Sequence, residues 1–146
     1  MKIYLDTCSL QRPLDSKTHI RIVLEAEAIL SILSQCEAGR LTLVASDALA
    51  FETERNPNLA RREYALGALD KAQQWIPLDM AIESHARTLH AQGIQPLDAL
   101  HLASAEAAEV DYFCTCDDKL LKNAKRSKSV HTTVVSPLEL IQELEK

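Results

Sequence analysis

The sequence predicts an α/β protein, a three-layer α/β/α sandwich around a central parallel sheet. Short apolar segments rich in β-branched and aromatic residues alternate with longer helical patterns along the chain. This alternation is typical of parallel strands joined by right-handed helical crossovers. The chain has 146 residues, of which 47% are hydrophobic and 25% are charged, with only 3 glycines. Such a composition indicates one globular domain over residues 1–146.

Five segments have the apolar pattern of buried strands. The first, IYL at residues 3–5, is directly followed by Asp6, and the fourth ends at Asp117 and Asp118. In a parallel sheet, ligands bind outside the carboxyl ends of the strands, so these acids are placed for chemistry, although Asp is also a common turn residue. The predicted strands cover residues 3–5, 41–45, 75–78, 110–116 and 130–135.

Helical patterns fill most segments between these strands, and residues 11–17 are predicted as a polar connection. The first helix, residues 18–38, carries an apolar stripe wider than one sheet face requires. Two interpretations stay open: a helix that the rest of the fold covers, or a homodimer interface. The predicted helices cover residues 18–38, 48–55, 58–74, 79–92, 96–107, 119–128 and 137–146.

The overall composition narrows the function classes. Aromatic residues make up only 4% of the chain, which argues against base stacking on rows of aromatic side chains. The formal net charge of -5 argues against a polyanion binder that relies on bulk charge, but bound metal ions would reverse the local sign. The four cysteines lack zinc-type spacing, and we expect buried, reduced thiols. Without an apolar leader or membrane span, we expect a cytoplasmic protein.

Four acids are predicted to converge on one site: Asp6, Glu52, Asp98 and Asp117. Two of them follow strands, and two lie on helices that can border the same sheet edge. Two carboxylates at 5 Å repel by about 3 kcal/mol at an effective dielectric constant near 20, so cations normally hold such a cluster together. Hard oxygen ligands suit Mg²⁺ or Mn²⁺, and this donor set indicates phosphodiester hydrolysis.

Four short motifs around these acids resemble the PIN domain family of nucleases, which includes the toxins of VapBC-type toxin-antitoxin pairs. They are IYLDTC, SDALAFE, PLDALHLASA and TCDDKLL, in the family's order over almost the full chain. The resemblance implies a parallel α/β/α fold, a Mg²⁺ or Mn²⁺ site, single-stranded RNA as substrate and a small antitoxin as partner. It assigns Asp6, Glu52, Asp98 and Asp117 as the site acids.

Their roles can be graded by position. Asp6 and Asp117, at strand ends, are expected to ligate the metal directly. Asp98 is an expected ligand whose place in the first turn of a helix favours its negative charge. Glu52 is expected to ligate the metal or to hold a metal-bound water.

Neighbouring residues are assigned more weakly. The hydroxyls of Thr7 and Thr115 can donate to the acids or to phosphate, or be purely structural. The family's Thr-x-Asp pattern selects Asp117, so Asp118 is predicted as the N-cap of the next helix. Glu54 is predicted to be solvated. His101 is interpreted as an ordinary histidine of a helix, with a supporting role at the site as the alternative.

Basic residues on either side of the acids are candidate contacts for a phosphate backbone. Lys119 and Lys122 follow Asp117, and Arg12 follows Asp6. A solvated helix face is the alternative interpretation for the lysines. Further members of the same groups are Lys17, Arg21, Lys125, Arg126 and Lys128.

Two other functions were weighed against a nuclease. A PIN-like binding module would keep the fold without using nuclease activity, although the presence of all four acids argues against it. An aspartyl-phosphate enzyme of the haloacid dehalogenase kind needs a second Asp two residues after the nucleophile. That position is Cys8, which makes this function unfavourable.

Overall fold

The computed structural model describes residues 1–146 and contains five strands that form one parallel sheet. The strands are β1 (Lys2–Leu5), β2 (Thr42–Ser46), β3 (Gln74–Ile76), β4 (Tyr112–Cys114) and β5 (Thr133–Val135). Their order in the sheet is β3-β2-β1-β4-β5. The predicted α/β fold with a central parallel sheet is therefore confirmed.

Eight α-helices connect and cover the strands. They are α1 (Thr7–Gln11), α2 (Ile20–Glu37), α3 (Asp47–Glu54), α4 (Leu59–Asp70), α5 (Met80–Ala91), α6 (Pro96–Ala107), α7 (Asp118–Arg126) and α8 (Pro137–Leu144). A 3-10 turn, Arg12–Leu14, follows α1. Helix α2 packs against α8, and α5 packs against α6.

Several predicted boundaries were wrong. Residues 11–17 were predicted as a polar connection, but α1 starts right after β1 and runs into the 3-10 turn. A helix this short shows no apolar period in the sequence. The helix predicted over residues 58–74 ends at Asp70, because β3 already begins at Gln74. The strand predicted at 110–116 pairs only over its central residues, Tyr112–Cys114, and the strand predicted at 130–135 pairs only over its last three, Thr133–Val135.

The first strand is the centre of the sheet. Ile3 pairs with Leu43 of β2 and with Tyr112 of β4, and Ile3, Tyr4 and Leu5 are completely buried. The chain leaves β1 for β2 on one side and later adds β4 on the other. The carboxyl ends of β1 and β4 therefore border the point where the strand order reverses, which is where open α/β sheets bind ligands.

The burial of the four cysteines and of the apolar side chains of α2 tests two predictions. Cys36, Cys114 and Cys116 are buried as expected, whereas Cys8 is exposed, which corrects the prediction for that thiol. On α2, the apolar side chains of Ile20, Leu24 and Leu30 remain exposed. None of the helices combines the length and the apolar character that crossing a membrane requires.

Candidate metal and nucleic-acid site

An open cleft of about 460 Å³ lies at the carboxyl edge of the sheet, and only one of its eleven lining residues is hydrophobic. All four predicted acids line it: Asp6, Glu52, Asp98 and Asp117. They come from the ends of β1 and β4 and from helices α3 and α6. The structure thus brings together residues that lie far apart in the sequence.

Asp6 is the most deeply placed of these acids, with 4% of its surface exposed. Its Oδ1 accepts the backbone N–H of Ser9 at 3.0 Å, which makes it the N-cap of α1, and the thiol of Cys8 at 3.2 Å. Burial raises the pKa of Asp6 above its ordinary value, because little water is left to solvate the charge. The carboxylate is rigidly held but electrostatically unfavourable.

Asp117 caps α7, which corrects the prediction that Asp118 does so. Its Oδ1 accepts the backbone N–H groups of Lys119 at 2.9 Å and Leu120 at 3.2 Å. Asp118 is the first residue of the helix and instead pairs with Arg21 at 2.6 Å on the surface. Of the two adjacent acids, only Asp117 lines the cleft.

Asp98 lies in the first turn of α6 and is only partly exposed. Burial is the main cause that raises the pKa of Asp98 to about 6. The negative charges of Asp6, Asp117 and Glu52 contribute to this shift, and His101 opposes it. The acids therefore lie near enough to disfavour one another's ionisation. A cation in the cleft would relieve this repulsion.

Glu52 has a different environment. Burial raises the pKa of Glu52, but hydrogen bonds from His101 and Thr7 outweigh this effect and bring it below its ordinary value. His101 Nε2 lies 3.0 Å from Oε1, and the Thr7 hydroxyl donates to the same oxygen. Glu52 is thus the ionised, hydrogen-bonded acid of the cleft. Glu54, two residues further on α3, is exposed as predicted.

His101 is buried, with 1% of its surface exposed, which agrees with a core histidine of α6. It also lines the cleft and contacts Glu52 directly, which favours the supporting role given as the alternative. The available signal was the spacing: His101 follows Asp98 by three residues on one helix, so both side chains lie on the same face.

Arg55 and Gln11 also line the cleft, and neither was predicted from the sequence. Arg55 lines it, makes no ion pair, and places its guanidinium 4.2 Å from the ring centroid of Phe51. Arg55 follows Glu52 by three residues on the same helical face, a spacing that could have revealed it. Gln11 also lines the cleft, with Nε2 buried and without a hydrogen-bond partner.

The predicted substrate contacts divide into two groups. Thr7 lines the cleft, Lys119 lines a small adjoining cleft with Asp98 and Asp117, and Lys122 is exposed on α7. The two lysines remain available to a ligand, whereas the Thr7 hydroxyl donates its hydrogen to Glu52.

Thr115 and Arg12 are placed differently. Thr115 is buried, and its hydroxyl accepts the backbone N–H of Asp117 at 3.0 Å. This hydrogen bond holds the backbone of Asp117 at the end of β4. Arg12 pairs with Asp15 at 2.8 Å and with the buried Glu25 at 2.9 Å, away from the lining of the cleft. Both residues lie outside the lining of the cleft, and their contacts with substrate stay predictions.

The donor set of the cleft fits a hard divalent cation. The carboxylate oxygens of its four acids suit Mg²⁺ or Mn²⁺ better than zinc, and the exposed thiol of Cys8 also lines the cleft. No three His, Cys, Asp or Glu side chains lie close enough together to form a ready-made ion site.

Comparison with known proteins agrees with the fold. No curated protein matches the chain. Among solved structures, VapBC2 from Rickettsia felis, bound to a DNA fragment from its promoter, gives a TM-score of 0.62 at 13% identity, covering 93% of this chain and 98% of that chain. FitAcB from Neisseria gonorrhoeae gives a TM-score of 0.55 at 16% identity with the same coverage. At these identities the likeness concerns the fold alone.

The family model of the PIN domain matches residues 3–126 of the chain. The chain therefore belongs to the PIN domain family, whose members are generally nucleases.

Proposed function

We propose that the protein is a metal-dependent endoribonuclease that cleaves single-stranded RNA. The observation that carries the proposal is the convergence of Asp6, Glu52, Asp98 and Asp117 on one open cleft at the switch point of the sheet. Packing gives no reason to assemble four carboxylates, because burial and repulsion raise the pKa of Asp98 to about 6. Cation binding gives a reason to assemble them, because a bound cation offsets the repulsion between the carboxylates.

The residues of the cleft would have different roles in metal and RNA binding. Asp6, Asp98 and Asp117 would hold Mg²⁺ or Mn²⁺, with Glu52 as a further ligand or as the acceptor that orients a water. When bound, such an ion activates water and neutralises charge on the phosphate oxygens. Arg55, Lys119 and Lys122 supply positive charge beside the acids and would hold the RNA backbone against the cleft.

A binding module is the second candidate function. The observation that favours it is that no three metal-ligating side chains form a ready-made ion site. In that case the cleft would recognise a partner without cleaving it. The two functions differ in one measurable property, which is turnover in the presence of metal.

The first prediction is cleavage of single-stranded RNA with Mn²⁺ or Mg²⁺ and complete inhibition by excess EDTA. A panel of RNAs of varied sequence, with single-stranded DNA and duplex RNA for comparison, should be separated on denaturing gels. Exclusive cleavage of DNA would contradict the RNA substrate. A folded protein that cuts nothing with either metal would favour the binding module.

We further propose that the protein is the toxin of a toxin-antitoxin pair and acts in the cytoplasm, with a small antitoxin as partner. The support is its PIN domain and its structural likeness to VapBC2 and FitAcB. The neighbouring open reading frame should then encode a small DNA-binding protein. Co-expression of the two should yield a stable complex in which RNA cleavage is suppressed.

The second prediction is a homodimer, proposed because Ile20, Leu24 and Leu30 of α2 stay exposed, with Ile20 at 79%. Light scattering at tens of micromolar should give about twice the 16.2 kDa of one chain. Leu24→Glu should shift the mass toward the monomer, whereas Glu27→Gln on the same helix should not. A monomeric wild-type protein would exclude this interface.

A further inference from the structure

We infer that His101 is a positioning residue: a buried chain of hydrogen bonds from Ser46 through Tyr4 fixes the neutral ring with its proton on Nε2, which holds Glu52 by one oxygen. The inference rests on the proposed function only in that Glu52 acts in the cleft. The chain of contacts runs from Ser46 Oγ to Tyr4 Oη at 2.7 Å, then to His101 Nδ1 at 2.8 Å. His101 Nε2 then reaches Glu52 Oε1 at 3.0 Å.

The direction of these hydrogen bonds follows from Ser46. Its hydroxyl accepts the backbone N–H of Leu49 at 3.1 Å as the N-cap of α3, and it is completely buried. Its single hydrogen needs an acceptor, and Tyr4 Oη is the one in reach. The hydroxyl of Tyr4 must then donate to Nδ1 of His101. Nδ1 is therefore an acceptor without a proton.

The proton of the neutral ring is consequently on Nε2, facing the carboxylate of Glu52. The reverse direction would leave the buried hydrogen of Ser46 without an acceptor. It would also set an unprotonated Nε2 of the neutral ring against a carboxylate oxygen of Glu52. One direction alone satisfies every donor in the chain.

The chain ties Glu52 to the rigid centre of the fold. Tyr4 lies on β1 and stacks on Phe113 of β4 with ring centroids 5.2 Å apart. Ser46 ends β2 and also caps α3, the helix that carries Glu52. Thr7 donates to the same Oε1 that His101 contacts, so both bonds use one oxygen and leave Oε2 to act in the cleft. Glu52 thus offers a single, oriented oxygen.

Tyr4→Phe is the test, because it removes one hydroxyl while keeping the ring that stacks on Phe113. Tyr112→Phe is the matched control, since its hydroxyl only contacts Glu143 at 3.3 Å near the surface. In EDTA-treated protein, ¹⁵N NMR of the histidine side chains should show His101 as the neutral Nε2–H tautomer. Tyr4→Phe should change the Nδ1 signal and weaken Mn²⁺ binding about 10-fold, as loss of outer partners of a metal ligand typically does. Tyr112→Phe should do neither.

A second pair of variants covers the case in which Tyr4→Phe fails to fold. His101→Gln keeps a donor for Glu52 and an acceptor for Tyr4, so it should retain Mn²⁺ affinity better than His101→Leu. Equal losses in the two variants would overturn the inference. So would a wild-type ring protonated on Nδ1 or on both nitrogens, or a Tyr4→Phe protein that binds Mn²⁺ like Tyr112→Phe. The tautomer is measured without RNA, so a protein inactive on RNA refutes the proposed function and leaves this inference standing.

Discussion

Asp6→Asn is expected to lower RNA cleavage by more than about 100-fold, beyond the range seen when only an outer partner of a metal is removed. The amide keeps an oxygen that accepts the N–H of Ser9, so α1 should still be capped. The negative charge at the end of β1 is lost. Because burial already raises the pKa of Asp6, the variant should fold at least as stably as the wild type without metal.

Asp118→Asn is the matched control for this experiment. It makes the same chemical change beside the cleft, but it removes only an exposed ion pair with Arg21, which is worth at most about 1 kcal/mol. Initial rates on one RNA, with circular dichroism to confirm folding, should separate the two variants. Equal rates for Asp6→Asn and wild type would show that the cleft is not the nuclease site.

Asp98→Asn is expected to stabilise the protein without metal in a manner that depends on pH. Because the pKa of Asp98 is raised from 3.8 to about 6, the native state holds a proton between these values that the unfolded state has lost. The stabilisation by this group is complete below pH 4 and is lost as pH rises through 6. After discounting for solvent screening, the variant should gain about 1 to 2 kcal/mol at pH 8 and almost nothing at pH 4.

Thermal unfolding with and without millimolar Mn²⁺ measures both parts of this prediction. The wild type should gain melting temperature with Mn²⁺, because an ion that binds only the native state stabilises it. Asp98→Asn should start higher at pH 8 and gain less. Asp118→Asn should keep the wild-type response. A stability difference that is the same at pH 4 and pH 8 would contradict the assigned cause.

The fold and the set of acids could be predicted because both follow from local patterns. The apolar run at residues 3–5 indicates a strand buried on both faces, and Pro96 marks a helix start that places Asp98 in its first turn. Parallel topology then brings the strand ends to one edge. No long-range contact had to be known to predict which acids share the cleft.

The remaining features depend on contacts between distant segments. The sequence around His101 fits either a core or a surface histidine, and only the nearby hydroxyl of Tyr4 decides its role. Asp117 and Asp118 are adjacent acids, and the backbone path out of β4 determines which one caps α7. Arg12 was predicted to contact substrate, but buried Glu25 pairs with it from another helix.

The central position of β1 also bears on how the protein is made. Asp6 and Asp117 are separated by 111 residues (117 minus 6) and come into the same cleft only after β4 has paired with β1. At ordinary rates of translation, roughly 6 to 22 s pass between the synthesis of these two residues. A nascent or prematurely terminated chain that lacks β4 has no assembled acid set. The acids of the cleft can therefore come together only after β4 has been synthesised and has paired with β1.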